Sequence, residues 1–350
     1  MLKIDSKFIQ KVQQSEELEE LYPLLQNAIE LEHSTIPPYL TAMFSIKPGK
    51  NLEDRKIIHS IVIEEMMHMT IAANILNALG GQPYISNSDF VPEYPGPLPM
   101  GIGNGLIVGL EKYSKACVKN VFMEIEEPEN PLVFKSFSLA ATQDFSTIGQ
   151  FYLALQQKIE EIAPIELPGD KSKQVTSAFF DPALLFPIYT RHDAVNAINI
   201  IVEQGEGTSI SPLDQDGEIA HYYRFEELFK GKKLIKDDTA PNGFSFSGPD
   251  IPFNPDDVYP LFPNTKIAML PTGSEEWNRM KQFNTSYFSL LQGLHKTFNG
   301  DPAGLDNTIG IMYDLKLTAE KLCATPFPGK EGYTIGPSFE YITVPSEIAV

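Results

Sequence analysis

The chain has 350 residues, 42% hydrophobic and 21% charged, with a formal net charge of −19. That is enough apolar material for a large core, in one elaborated domain or two lobes, and too much for a disordered chain. The acid excess argues against nucleic acid and against anionic membrane surfaces, since both need clustered Lys and Arg. Cys117 and Cys323 fit neither a disulfide framework nor a zinc spacing and read as buried thiols of a reducing compartment. The start, MLKIDSKFIQ, has no apolar signal core, and no stretch reaches the roughly 18 apolar residues of a membrane span, so the cytoplasm is the default location. The Asn284-x-Ser286 sequon is then a chance match.

Taken in order, Glu-rich turns from residue 16 lead into a helix with Leu21, Leu25, Ala28 and Glu32 on one stripe. Glu30 and His33 lie off that stripe and read as solvated. Pro37 and Pro38 remove two backbone donors and free carbonyls near His33 and Ser34, so the helix is expected to kink or stop there. A polar loop over 47–56 precedes IIHSIVIEEMMHMTIAANILNAL, whose stripe of Ile58, Ile61, Ala72, Leu76 and Leu79 contains Glu65 and His68. Gly80-Gly81 and Pro83 stop it, and so short a connection makes the two long helices antiparallel neighbours.

Residues 87–105 are rich in proline and glycine and read as an excursion over the bundle; their GIGNG is not followed by the strand-turn-helix context of a dinucleotide site. A shorter helix is expected within 109–126. Another is expected over 139–162 with Phe145, Ile148, Tyr152, Leu155 and Ile159 inward, and another over 192–206. On the last, His192, Asn196, Asn199 and Glu203 form a polar stripe that suits solvent and a site equally. A helix over 214–229 carries Glu218 and His221. After a Pro/Gly-rich stretch, two amphipathic helices close the chain, one over 275–298 and one opened by Asp301 as cap and Pro302. Residues 1–235 thus read as a helical bundle with a site, and 236–350 as a loop-rich extension packed on it.

A Glu-x-x-His pair places a carboxylate and an imidazole one above the other on a helix face, where burial is costly unless something pairs them. A lone pair of this kind is more often a core histidine bonded to its own glutamate. Here Glu65/His68 and Glu218/His221 repeat the spacing, and carboxylate-bridged di-metal bundles use two such pairs plus two single glutamates. Glu32, Glu65, Glu203 and Glu218 supply four negative charges and His68 and His221 two neutral nitrogens, which balances two divalent cations. Oxygen and imidazole donors without thiolates suit two iron ions, or manganese, rather than structural zinc. Each liganding histidine needs an acceptor for its other ring N–H, with Asp144 and Asp193 as candidates.

The segments IELEHSTIPPYLTAMFSIKPG, IVIEEMMHMTIAANILNALGG, YPGPLP, VFMEIEEPE, IVEQGEG, AHYYRFEEL, FNGDPAGLD and GPSFEY resemble, in order and over nearly the whole chain, the ferritin-like family that includes the iminophenyl-pyruvate dimer synthases of violacein- and rebeccamycin-type bisindole biosynthesis. The resemblance implies a mainly α fold, a ferritin-like four-helix bundle elaborated with extra C-terminal helices. It also implies Glu32, Glu65, His68, Glu203, Glu218 and His221 as metal positions. In those enzymes this region is one part of a longer polypeptide. The family motif has a glutamate where TIGQFY places Gln150, a departure that is harmless if Glu203 fills the role. The expected function is a dioxygen-using di-metal oxidoreductase on a small substrate of aryl or imino-acid type, with Glu65, His68 and Glu203 at the chemistry. The alternatives are a metal-independent imine-coupling auxiliary and a non-enzymatic binding module. No nucleic-acid or membrane partner is expected, and a homo-oligomer is compatible with the chain.

Overall fold

The computed structural model describes residues 4–101, 105–128, 147–207, 211–214, 216–240 and 242–342. After a short helix α1 (Lys7–Gln14), two long helices, α2 (Tyr22–Ser45) and α3 (Leu52–Ala78), run antiparallel. Their ends are tied at both extremes: the Tyr22 hydroxyl donates to the Leu79 carbonyl at 2.9 Å, and Arg55 donates to the Ile46 carbonyl at 3.2 Å. A helical run over residues 115–125, α4, contains a π-turn at Val118–Phe122. The second hairpin is α5 (Ile148–Ile162) and α6 (Arg191–Glu206). A short α7 (His221–Lys230) closes one end of the bundle against α3, α4 and α6. A last hairpin, α8 (Glu275–Phe298) and α9 (Leu305–Cys323), lies against α2 and α3 on their other side. The only strands among the described residues are β1 (Ile235–Lys236) and β2 (Phe244–Ser245), an antiparallel pair.

Local chemistry explains the helix starts. Thr147 with Gln150, and Thr190 with Asp193, form reciprocal capping boxes that open α5 and α6. Ser274 accepts from the Trp277 amide to open α8. Asp301 makes no such bond: it precedes a 3₁₀ turn, Pro302–Gly304, and α9 begins only at Leu305. Residues 139–146 of the expected fifth helix lie outside the described residues.

Two features of α2 depart from expectation. The helix does not stop at Pro37 and Pro38, and one of the carbonyls they free finds another donor. Tyr94 donates its hydroxyl to the Ser34 carbonyl at 2.7 Å. His33 is buried rather than solvated, because the α8–α9 hairpin covers that face. Its Nε2 meets the Tyr287 hydroxyl at 2.8 Å, and burial pushes the imidazole down to about 3.

The segment before α7 departs most from expectation. Residues 214 and 216–220 are not helical: Asp214 accepts from the Glu218 amide, Gly217 has φ +82°, and Leu213 bridges Ile219. Gly217 supplies the left-handed conformation that a continuing helix excludes. Glu218 therefore sits exposed in this turn, and His221 is the first residue of the helix. Cys117 and Cys323 are free and buried, and burial pushes both thiols up. No helix of the described residues is long and apolar enough to cross a membrane.

Candidate metal centre

α3 holds Glu65 and His68 one turn apart, each 2% exposed, between α2 and the α6–α7 end of the bundle. The two oxygens of Glu65 serve different neighbours. Oε2 accepts from Thr35 Oγ1 at 3.1 Å, while Oε1 stands 2.8 Å from His221 Nδ1. Glu126, at the end of α4, brings Oε2 to within 3.6 Å of that same nitrogen. Glu32 on α2 brings its Oε2 to 3.7 Å from His68 Nδ1. The result is two triads, Glu32–Glu65–His68 and Glu65–Glu126–His221, within each of which the donor atoms lie within 4.8 Å of one another. Glu65 belongs to both. The two imidazoles lie nearly parallel, 5.4 Å between centroids.

The geometry at His221 Nδ1 is informative. Although two carboxylates surround it, this fully buried nitrogen makes no directed hydrogen bond. Its lone pair and the carboxylate oxygens converge on common space instead of on each other, which is how donors around an ion are disposed. The remaining ring nitrogens are engaged from behind. His68 Nε2 pairs with Gln204 Oε1 at 2.8 Å, and His221 Nε2 with Glu64 Oε2 at 2.8 Å. Each therefore carries its proton on Nε2, leaving Nδ1 free to ligate. Arg224 clasps Glu64 through both terminal nitrogens. The Tyr152 hydroxyl donates to Glu32 and the Tyr39 hydroxyl to Glu126, so two of the carboxylates are also held in orientation.

Electrostatics follow from this crowding. Burial, then the neighbouring Glu126 charge, pushes Glu65 up to about 7. Burial alone would lower both imidazoles. At His68 the adjacent Glu32 and Glu65 carboxylates outweigh it and raise the ring; at His221 the Glu126, Glu64 and Glu65 carboxylates around it do the same more strongly. Burial would also raise Glu64, but His221 and Arg224 bring it down to about 2. Burial, with the carboxylates beside them, holds Tyr39 and Tyr152 well above the usual phenol range. A site of this kind gains from cations that can replace protons between its carboxylates.

The structure thus brings Glu32, Glu65, His68 and His221 together and leaves two expected ligands out. Glu218 is displaced by the turn described above. Glu203 is half-buried on α6 and lines a separate solvent-side hollow with Asn196, Asn199 and Asp214. The inward face of α6 runs through Ala194, Ala197, Ile198 and Ile201 to Gln204, so the neighbour of Glu203 is the residue that meets the centre. The expected acceptor Asp193 instead caps α6 through the Thr190 amide at 2.8 Å, and Asp144 lies outside the described residues. Gln150 closes the α5 cap and bonds the Thr147 amide at 3.1 Å.

Sequence reasoning missed Glu126, Gln204 and Glu64. Glu126 closes the short helix expected within 109–126, in the acidic run MEIEEPE, and the π-turn at Val118–Phe122 before it breaks the 3.6-residue phase by which its face would be read. A cavity of about 40 Å³ opens among Glu32, Glu65, His68, Glu126 and His221, bounded also by Tyr152, Ile201 and Gly205.

This bundle of two antiparallel hairpins, with carboxylates and imidazoles converging between them, belongs to the ferritin-like family, whose sequence model matches residues 25–230. Among individual proteins, the chain is 26% identical to the dichlorochromopyrrolate synthase of Lentzea aerocolonigenes over 314 residues, 81% of this chain. It spans only 29% of that protein's length. A crystal structure of a ferritin-like protein from Caulobacter vibrioides superposes with a TM-score of 0.57 at 23% identity, covering 90% of this chain and 96% of that one, and supports the fold.

Proposed function

We propose that this chain is a di-metal carboxylate oxidoreductase acting on a small organic substrate. The observation that supports the reading is that Glu65 belongs to both Glu/His groups, with Oε1 2.8 Å from His221 Nδ1 and Oε2 held by the Thr35 hydroxyl, so that it would be the carboxylate shared by two ions. Glu32 and His68 would complete one position, Glu126 and His221 the other. This donor set fits two iron ions, or manganese, and when bound such a pair supplies redox chemistry toward dioxygen. Three carboxylates against two divalent ions leave net positive charge, which a hydroxide or a substrate anion would balance. On this reading Glu65 and His68 are at the chemistry, and Glu203, which lines the solvent-side hollow, is not. Gln204 and the Glu64–Arg224 pair would hold the histidines in orientation. The cavity of about 40 Å³ has room for only a few water-sized molecules, so a larger substrate would approach from the Gly205 side, where an added Cβ meets nothing within 4 Å.

Anaerobic loading with Fe(II) followed by metal analysis and exposure to air tests this reading. The expected result is about two equivalents of iron and measurable oxygen uptake. Less than one equivalent, with no uptake, contradicts it. The similarity to dichlorochromopyrrolate synthase favours a second reading, a metal-independent auxiliary to coupling of aryl imino acids in which the buried carboxylates move protons. On that reading, Glu65→Ala abolishes coupling activity while the metal content of wild type and variant is equally negligible.

A further inference from the structure

A second cavity lies on the opposite side of the α2–α3 hairpin, between it and α8–α9, with a volume of about 180 Å³. The two sites divide neighbouring residues between them: Glu65 and His68 face the metal centre, and Met66 and Met69 the second cavity. Its walls are mainly leucine and isoleucine, into which Met43, Met66, Met69 and Met312 and the aromatic rings of Phe180 and Phe339 are set. Thioether sulfur favours contact with ring edges, and an apolar cavity of about 150 Å³ is enough to hold benzene. The Phe339 backbone is held at φ +48°, a left-handed conformation that is unfavourable for a bulky side chain. In that conformation its ring stands edge-on to Phe283 and Tyr287 in the cavity wall.

Polar groups mark the two ends. His33 lines the cavity with its Nδ1 fully buried and without a hydrogen-bond partner. The Tyr287 hydroxyl and His33 Nε2 share one hydrogen bond at 2.8 Å, which leaves Nδ1 as the ring nitrogen without a partner. At the other end, His59 and Lys316 line the rim, and neither has a carboxylate within ion-pair distance among the described residues of a chain with net charge −19. The α2–α3 register, fixed by Thr35 beside Glu65 at 3.1 Å, places His33 near residue 67 of α3. That is roughly 12 Å along the axis from His59.

We propose that this cavity binds an elongated monocyclic aryl carboxylic acid. The ring sits among the methionines, a hydroxyl on the ring pairs with His33 Nδ1, and the carboxylate lies at Lys316 and His59. The site is distinct from the metal centre and does not depend on its occupancy.

The probe is 3-(4-hydroxyphenyl)propionate, titrated into the full chain labelled at its methionine methyl groups and followed by NMR. Saturable shifts at Met43, Met66, Met69 and Met312, with a Kd at or below about 1 mM, are expected. Filling the half-buried wall with Ile63→Trp should abolish them. Lys316→Ala, at the accessible rim, should weaken binding by up to about fivefold, and removing the hydroxyl by using 3-phenylpropionate should weaken it further. Absence of saturable shifts, shifts confined to other methionines, or undiminished binding by Ile63→Trp with an unchanged circular dichroism spectrum would overturn the proposal.

Discussion

Two stretches of this chain share one spacing and meet different fates. In Glu65-x-x-His68 both residues lie deep inside one long helix and are buried side by side. In Glu218-x-x-His221 the helix begins at the histidine, and the glutamate is left in an exposed turn shaped by Asp214 and Gly217. A three-residue spacing puts two side chains on one face only where the helix covers both. The second carboxylate for His221 comes instead from Glu126, on a different element with no sequence spacing to announce it.

The largest effect that separates the two stretches is on metal content. Glu65→Ala removes the shared carboxylate and should reduce bound iron from about two equivalents to nearly none, whereas Glu218→Ala should leave both ions in place, as read by metal analysis. If Glu218→Ala removed an ion, the contrast would fail. Glu126→Ala sharpens it, since the Glu32–Glu65–His68 triad stays intact and about one equivalent should remain. A smaller effect belongs to the groups behind the histidines. Gln204→Leu removes the acceptor for His68 Nε2–H and should weaken metal binding by about 10- to 100-fold in a chelator competition, without changing stoichiometry at saturation. The smallest effect lies outside the centre. Tyr94→Phe leaves the Ser34 carbonyl unpaired and should destabilise the fold by about 1–3 kcal/mol in denaturant unfolding, with metal content unchanged.

The bundle was legible because long helices announce themselves. The apolar stripe of α3, the Gly80-Gly81 stop and the amphipathic run of α8 can all be read from periodicity. Polar residues drawn inward by tertiary contacts cannot. His33 looked solvated because its cover, Tyr287, lies some 250 residues away in sequence. Pro37 and Pro38 looked like an end because the hydroxyl that satisfies the Ser34 carbonyl comes from Tyr94. Glu203 sat on a polar stripe that suited solvent and a site equally, and the buried side of α6 is offset from it by one residue and selects Gln204. Each miss arises where a partner from another element decides the outcome.

The most direct measurement is anomalous X-ray scattering from crystals of the iron-loaded protein. The account predicts two peaks flanking the Glu65 carboxylate, one beside Glu32 and His68 and the other beside Glu126 and His221. Metal at Glu203 or Glu218, or no metal between the residue 65 carboxylate and the two imidazoles, would contradict it.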